Sequence, residues 1–253
     1  MTKITTVFSS ISDLGVRDKI RILVRHHILY PLFGDTLLNR SVIHELVEYY
    51  DGYQLQNADS KKGELGFGLF HYAMITNIKP KRVLCIGSKK GFIPAVCAMA
   101  CKHNGFGTVD FVDAGYGEDD GQNQWGGVSL WRRVDPKRHF SFLGLDAHIV
   151  PFIMTTDEFA ARRHSSYQYI HVDGDHSYDG VKNDVSHVWP LLERDGFLSL
   201  HDVTVKQMKN QPPYGVWKLW EEPSGARKIL LDKAAGLGVI QKSGGHKMKR
   251  RKA

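Results

Sequence analysis

The stretch "RVLCIGSKKGF", residues 82–92, decides how the rest of the chain is read. Its first residues are mostly apolar and suggest a buried strand, and Gly87 permits the tight turn that ends it. "FIPAVCAMACKH" follows at helical length, so residues 82–103 read as strand, glycine turn and helix. Such a turn points backbone N–H groups at an anion, a phosphate or a carboxylate. Gly91 permits close approach, either of backbone to ligand or of helix to strand. The turn also carries Ser88, Lys89 and Lys90. It lacks the third glycine of a dinucleotide fingerprint and the Gly-Lys-Ser/Thr of a phosphate loop. Taken alone, it fits a plain strand-to-helix connection as well as a ligand site.

On either side the same rhythm repeats. "ELGFGLFHYAMITNI" (64–78) reads as a helix, with Pro80 after it. "TVDFVDAG" (108–115) and "HIVPFIMTT" (148–156) read as strands, separated by an irregular Gly- and Asp-rich section and the helical "PKRHFSFLGL". After the short helix "DEFAARR" come the strand "YQYIHVDG" (167–174), the helix "YDGVKNDVSHVWPLL" and the strand "FLSLHDV", which Gly196 starts. "RKILLD" and "GLGVIQK" look like a final antiparallel pair. Alternating strands and helices over about 140 residues imply an α/β protein with a mostly parallel sheet covered by helices on both faces. Ligands then bind at the carboxyl ends of the strands, near the switch in strand order.

The bulk composition agrees with one large domain. The chain has 253 residues, 42% apolar and 24% charged, as an ordinary globular protein has. No stretch approaches the roughly 20 apolar residues of a membrane span. The N-terminus lacks the pattern of a secretory signal, so a cytoplasmic location is expected. The net charge is +7, and the tail from Lys242 onward holds six lysines and arginines with no acid. The body is therefore nearly neutral. A basic tail can touch nucleic acid or anionic membrane, but it is more often a solvated end. Cys85, Cys97 and Cys101 are too few for a disulfide framework and read as buried thiols. Residues 1–59 are expected to form a helical extension. In it "RDKIRILVRHHILYPLF" packs on the domain, a partner or a membrane surface, and "NRSVIHELVEYY" is capped by Asn39 or Ser41. The domain proper is placed at 60–241 and the tail at 242–253.

The chemistry gathers at the strand ends. Asp113 closes the second strand 22 residues after Gly91, where a carboxylate can accept both hydroxyls of a ribose. Thr155, Thr156 and Asp157 close the third, where an adenine edge can be read. "HVDGDHSYDG" (171–180) places Asp173 and Asp175 at the end of the fourth strand, and "LHDV" places His201 and Asp202 at the end of the fifth. Adjacent strands lie about 4.8 Å apart, so these tips can share one ion. Carboxylates with an imidazole suit Mg²⁺ or a similar divalent cation, which would lower the pKa of a substrate hydroxyl. The plainer reading is helix capping by Asp173 and Asp175, although Ser177 and Asp179 are nearer the helix.

With "VDGDHSYDGV" and "LHDV" in hand, the chain resembles class I S-adenosylmethionine-dependent methyltransferases. Within them it resembles the group that includes sugar and small-molecule O-methyltransferases. The resemblance covers roughly residues 60–241, including "GELGFGLFHYA" and "GVWKLW". It implies a Rossmann-like fold with a seven-stranded, mostly parallel sheet whose last strand is antiparallel. It also implies S-adenosyl-L-methionine as cofactor, bordered by Gly87, Ser88 and Gly91, with Asp113 on the ribose and Thr156 and Asp157 near the adenine. Asp173 is then a cofactor or metal residue, His201 and Asp202 are further metal candidates, Asp175 is the candidate base and His176 its alternative. Two departures from the family pattern are Cys85, where an acid is common, and His201–Asp202, where relatives often carry two acids or Asp–Asn. The acceptor is expected to be a hydroxylated small molecule or glycan, with Trp125 and Trp131 forming a lid. The competing readings are an RNA or protein methyltransferase guided by the tail and a non-catalytic cofactor-binding subunit. Self-association is left open.

Overall fold

A computed structural model describes residues 38–117, 129–162, 165–209 and 211–243. The first amphipathic stretch expected near the N-terminus, Trp125 and all of the basic tail beyond Ser243 lie outside these residues. Seven strands form one sheet: β1 (Arg82–Ile86), β2 (Thr108–Asp113), β3 (Ile149–Ile153), β4 (Tyr167–Val172), β5 (Leu192–His201), β6 (Arg227–Leu231) and β7 (Leu237–Gln241). Their order is β3-β2-β1-β4-β5-β7-β6. β1 to β5 are mutually parallel, and β7 runs antiparallel to both β5 and β6. This is the mostly parallel sheet expected above.

The alternation of side chains along each strand explains the two cores. In β1, Val83 and Cys85 face one layer and Leu84 and Ile86 the other. The first layer holds α1 (Arg40–Tyr50) and α3 (Phe92–Asn104), and α2 (Phe67–Ile78) packs against α3. α4 (Leu130–Arg133) and α5 (Pro136–Phe140) add Trp131 and Phe140 to it. The second layer holds α6 (Thr156–Ala160), α7 (Tyr178–Val188) and α8 (Val216–Glu221). Because α3 is buried over most of its length, Cys97 and Cys101 are core thiols, as is Cys85 beneath it.

Four observations refine these expectations. Residues 40–50, read as part of a helical extension, are helical and pack into the domain: Val42, Leu46, Val47 and Tyr50 are wholly buried in the first core layer. Asn39 does cap that helix, accepting from the N–H groups of Ser41 and Val42. The third strand stops at Ile153, and Thr155 is the N-cap of α6 with a capping box to Glu158. The fifth strand begins at Leu192 rather than after Gly196, with an irregular register near its start. Lys242 is not a tail residue, because its ammonium donates to the carbonyls of Trp189 and Leu192.

Candidate active site

The strand order reverses between β1 and β4, and the chain ends of these two strands are pressed together there. Gly87 donates its N–H to Val112 O, and Asp173 donates its own to Ile86 O. Gly87 has φ 73°, and a Cβ on it would lie 2.2 Å from the carbonyl oxygen of Asp173. Only glycine fits that turn. A cleft of about 710 Å³ opens above it at the carboxyl ends of the strands.

One side of the cleft is the glycine turn. Ser88 N donates to Asp113 Oδ2 at 3.0 Å, and Gly115 N donates to Asp113 Oδ1 at 2.8 Å. These bonds orient the carboxylate at the tip of β2. Burial nevertheless pushes its pKa up to about 6. Gly91 does not line the cleft, because its bare Cα faces the ring of Phe140. Of the two readings offered by that glycine, packing is the one observed. Lys89 and Lys90 both lie against Asp51, at 3.2 and 3.5 Å, so the turn is pinned to the segment after α1. Trp131 lines the cleft but is buried, and its indole N–H donates to Ser88 O. It packs the wall of the site rather than covering the opening.

Thr156 and Asp157 reach the cleft from the start of α6, yet both are engaged with α7. The Thr156 hydroxyl bonds to Asp184, whose carboxyl burial raises to about 6. Asp157 Oδ1 accepts from Asn183 Nδ2 and lies 2.8 Å from His187 Nε2. Their first role is therefore to join two helices, and Asn183 and Asp184 share the lining with them.

The other side gathers two carboxylates and two imidazoles. One donor atom each from Asp173, His201 and Asp202 lies within 4.8 Å of the other two. His201 Nδ1 is 3.1 Å from Asp202 Oδ1 and 3.4 Å from Asp173 Oδ1. His176 bridges the same acids, with Nε2 3.3 Å from Asp173 Oδ1 and Nδ1 3.3 Å from Asp202 Oδ2. Burial disfavours charge on Asp173, His176 and His201. Still, the two acids raise His201 well above its ordinary range, and they raise His176 as well. His201 and His176 in turn hold Asp173 well below the usual carboxylate range. Asp202 follows β5 with φ 60°, a left-handed conformation that an aspartate tolerates better than most residues. It is wholly buried, and neither carboxylate oxygen makes a hydrogen bond among the described residues.

This donor set fits a divalent cation. Two carboxylates and one imidazole supply hard oxygen and borderline nitrogen ligands. A carbonyl can only accept, so the contact of His201 Nε2 with Leu55 O at 3.2 Å puts the proton on Nε2. In the neutral ring the Nδ1 lone pair then faces the acids, as a metal ligand requires. Asp175 also lines the cleft, but its Oδ1 accepts from Ser177 N at 2.8 Å and its carboxylate rests on Gly180. Ser177 is the N-cap of α7, accepting from Gly180 N. Asp175 thus supports the cap and faces the cleft at once.

Several lining residues were missed by reading the sequence: Asp51, Tyr53, Leu55 and Gln56 on one wall, and Tyr214 on another. Tyr214 tilts over His176, with ring centroids 5.1 Å apart. Nothing in the local pattern of "DGYQLQNAD" or "QPPYGVW" marks them, because they arrive by long-range packing.

A sheet of this order with a cleft at the switch point is the Rossmann-like class I methyltransferase fold. Residues 84–203, from β1 to just past β5, match the family model Methyltransf_24, described as a methyltransferase domain. The S-adenosylhomocysteine-bound methyltransferase PaMTH1 of Podospora anserina superposes with a TM-score of 0.52 at 16% identity, covering 80% of this chain and 93% of that one. The O-methyltransferase TomG of Streptomyces achromogenes, in complex with S-adenosylmethionine, gives 0.53 at 12% identity, covering 85% and 94%. Uncharacterized protein y4gI of Sinorhizobium fredii (strain NBRC 101917 / NGR234) is 26% identical over 186 residues, 72% of this chain. The chain spans only 19% of the length of that curated relative. Among the described residues, no helix is long and apolar enough to cross a membrane.

Proposed function

We propose that the chain is an S-adenosylmethionine-dependent O-methyltransferase for a sugar or other hydroxylated small molecule, assisted by a divalent cation such as Mg²⁺. The observation that carries this reading is the convergence of Asp173, His201 and Asp202 in the same cleft as the Ser88–Asp113 turn. The turn and Asp113 would take the nucleoside and amino-acid parts of the cofactor, whose sulfonium supplies an activated methyl group. The three donors would hold the cation, whose charge would lower the pKa of an acceptor hydroxyl.

The remaining work is alignment and one proton transfer. The acceptor oxygen would bond to the methyl carbon as the carbon–sulfur bond breaks, with the electron pair of that bond leaving on sulfur as a thioether. Asp175 accepts the hydroxyl proton in this scheme. His176 is the alternative, but it lies between Asp173 and Asp202, 3.3 Å from each, and those acids raise its pKa.

The test is transfer of a labelled methyl group to pools of polyhydroxylated acceptors, with and without Mg²⁺ and a chelator. Cation-dependent labelling that Asp175→Asn reduces by about a hundredfold is the expected result. Failure of the protein to bind S-adenosylhomocysteine in calorimetry would remove the enzyme reading and leave a non-catalytic subunit. Full activity in chelator would remove the cation. Full activity of Asp175→Asn together with loss in His176→Asn would move the base by one residue.

A further inference from the structure

We propose that Gln56 is a fourth protein donor to the divalent cation, brought to the site by the 3-10 turn Gln54–Gln56. This rests on the cation reading given above and extends it to a segment outside the methyltransferase-domain match. The turn is fixed at two points on the site. His201 Nε2 donates to Leu55 O at 3.2 Å, and Gln56 Nε2 donates to Asp173 Oδ2 at 3.4 Å. The amide nitrogen of Gln56 is thus spent on the carboxylate. Its oxygen, Oε1, is buried and has no hydrogen-bond partner among the described residues.

A buried amide oxygen left without a partner is costly, so it calls for an occupant. Asp202 lines the same cleft, and its two buried oxygens lie against the imidazoles of His201 and His176 without a hydrogen bond among the described residues. A hydrogen-bond donor from protein would be one answer, but the neighbouring imidazoles already point at the two acids. A cation satisfies the amide oxygen and both carboxylates together. Neutral amide oxygens are ordinary ligands of hard divalent ions. Two carboxylates balance the charge of one divalent ion, and His201 and Gln56 then add donors without adding charge. Substrate oxygens or water can fill the remaining positions.

The pairing of Leu55 with His201 gives the same turn a positioning role. Its carbonyl holds the proton on Nε2 and so leaves Nδ1 for the cation. One short turn therefore contributes a ligand and orients another. This predicts that cation binding protects the backbone of residues 53–57 from hydrogen exchange.

Titration with Mn²⁺, followed by the electron paramagnetic resonance of the free ion, separates the possibilities. Full-length protein, Gln56→Ala, Gln56→Glu and Asp202→Asn are compared, with cooperative thermal unfolding as the control for folding. Expected are binding by the unmodified chain and at least about tenfold weaker binding by Gln56→Ala. Gln56→Glu, which keeps an oxygen at the position, retains binding, and Asp202→Asn loses it. If Gln56→Ala binds Mn²⁺ as tightly as the unmodified chain, the donor role of Gln56 is wrong while the cation site stands. If the unmodified chain does not bind Mn²⁺, both the site and the role of Gln56 fall. Should Gln56→Ala fail to fold, Gln56→Glu decides: loss of binding in a folded Gln56→Glu protein overturns the proposal.

Discussion

Asp113 receives two backbone N–H bonds at the tip of β2, and burial still keeps its pKa near 6. A ribose hydroxyl donates best to the ionised carboxylate. Affinity for S-adenosylhomocysteine should therefore be flat above pH 6 and fall as pH drops through that value, by about tenfold per unit. The sign for stability is opposite. A carboxyl raised from 3.8 to about 6 costs the fold stability above pH 6, and that cost fades as pH falls. Calorimetry between pH 5 and 8 checks the binding half, and Asp113→Asn should bind weakly with no such slope. A slope of the same size in Asp113→Asn would assign it to another group. Asp202 shows the other face of residue-scale chemistry. Its place in the sequence suggested a ligand, and the structure adds that it is buried against the imidazoles of His201 and His176, with no hydrogen bond to either oxygen among the described residues.

At the scale of elements, the glycine turn and the 3-10 turn do different work. Gly87 lets the ends of β1 and β4 meet, so Gly87→Ala meets both a left-handed backbone and a carbonyl 2.2 Å away. It should cost about 2–4 kcal/mol in urea unfolding, and it should also displace Asp173. Gly105→Ala, at φ 78° with open space around it, should cost only about 1 kcal/mol. Equal costs for the two would show that backbone strain alone matters at Gly87. The ends of β3 and the start of α6 were read as one polar cluster in the sequence. The capping box at Thr155 explains why those residues are polar, so their composition did not by itself report on a ligand.

At the scale of the whole molecule, the N-terminal boundary is the clearest lesson. Val42, Leu46, Val47 and Tyr50 are buried in the same layer as β1 and α3, and each contributes roughly 1.5–3 kcal/mol by its burial. Together they match a large share of the 5–15 kcal/mol that holds a typical domain folded. A fragment of residues 60–253 should therefore fail to unfold cooperatively in calorimetry. A cooperative transition in that fragment would restore the appended-helix reading. The alternation of strands and helices, the parallel sheet and the strand-end acids were all legible from the chain, because each depends on local periodicity or on which residue follows a strand. Asp173, Asp175, His176, His201 and Asp202 could be found that way.

What the sequence by itself determined is the repeating unit of strand, turn and helix, and with it the end of the sheet where chemistry belongs. Those signals are local: side-chain period, turn residues and the acids just beyond each strand. Only the tertiary structure decided which groups meet. It brought Leu55 and Gln56 to a centre more than a hundred residues away, turned Gly91 and Trp131 into packing, and tied Asp157 to α7. The reason is physical. Burial, hydrogen-bond satisfaction and the close approach of strand ends depend on neighbours in space, and those neighbours exist only once the sheet has assembled.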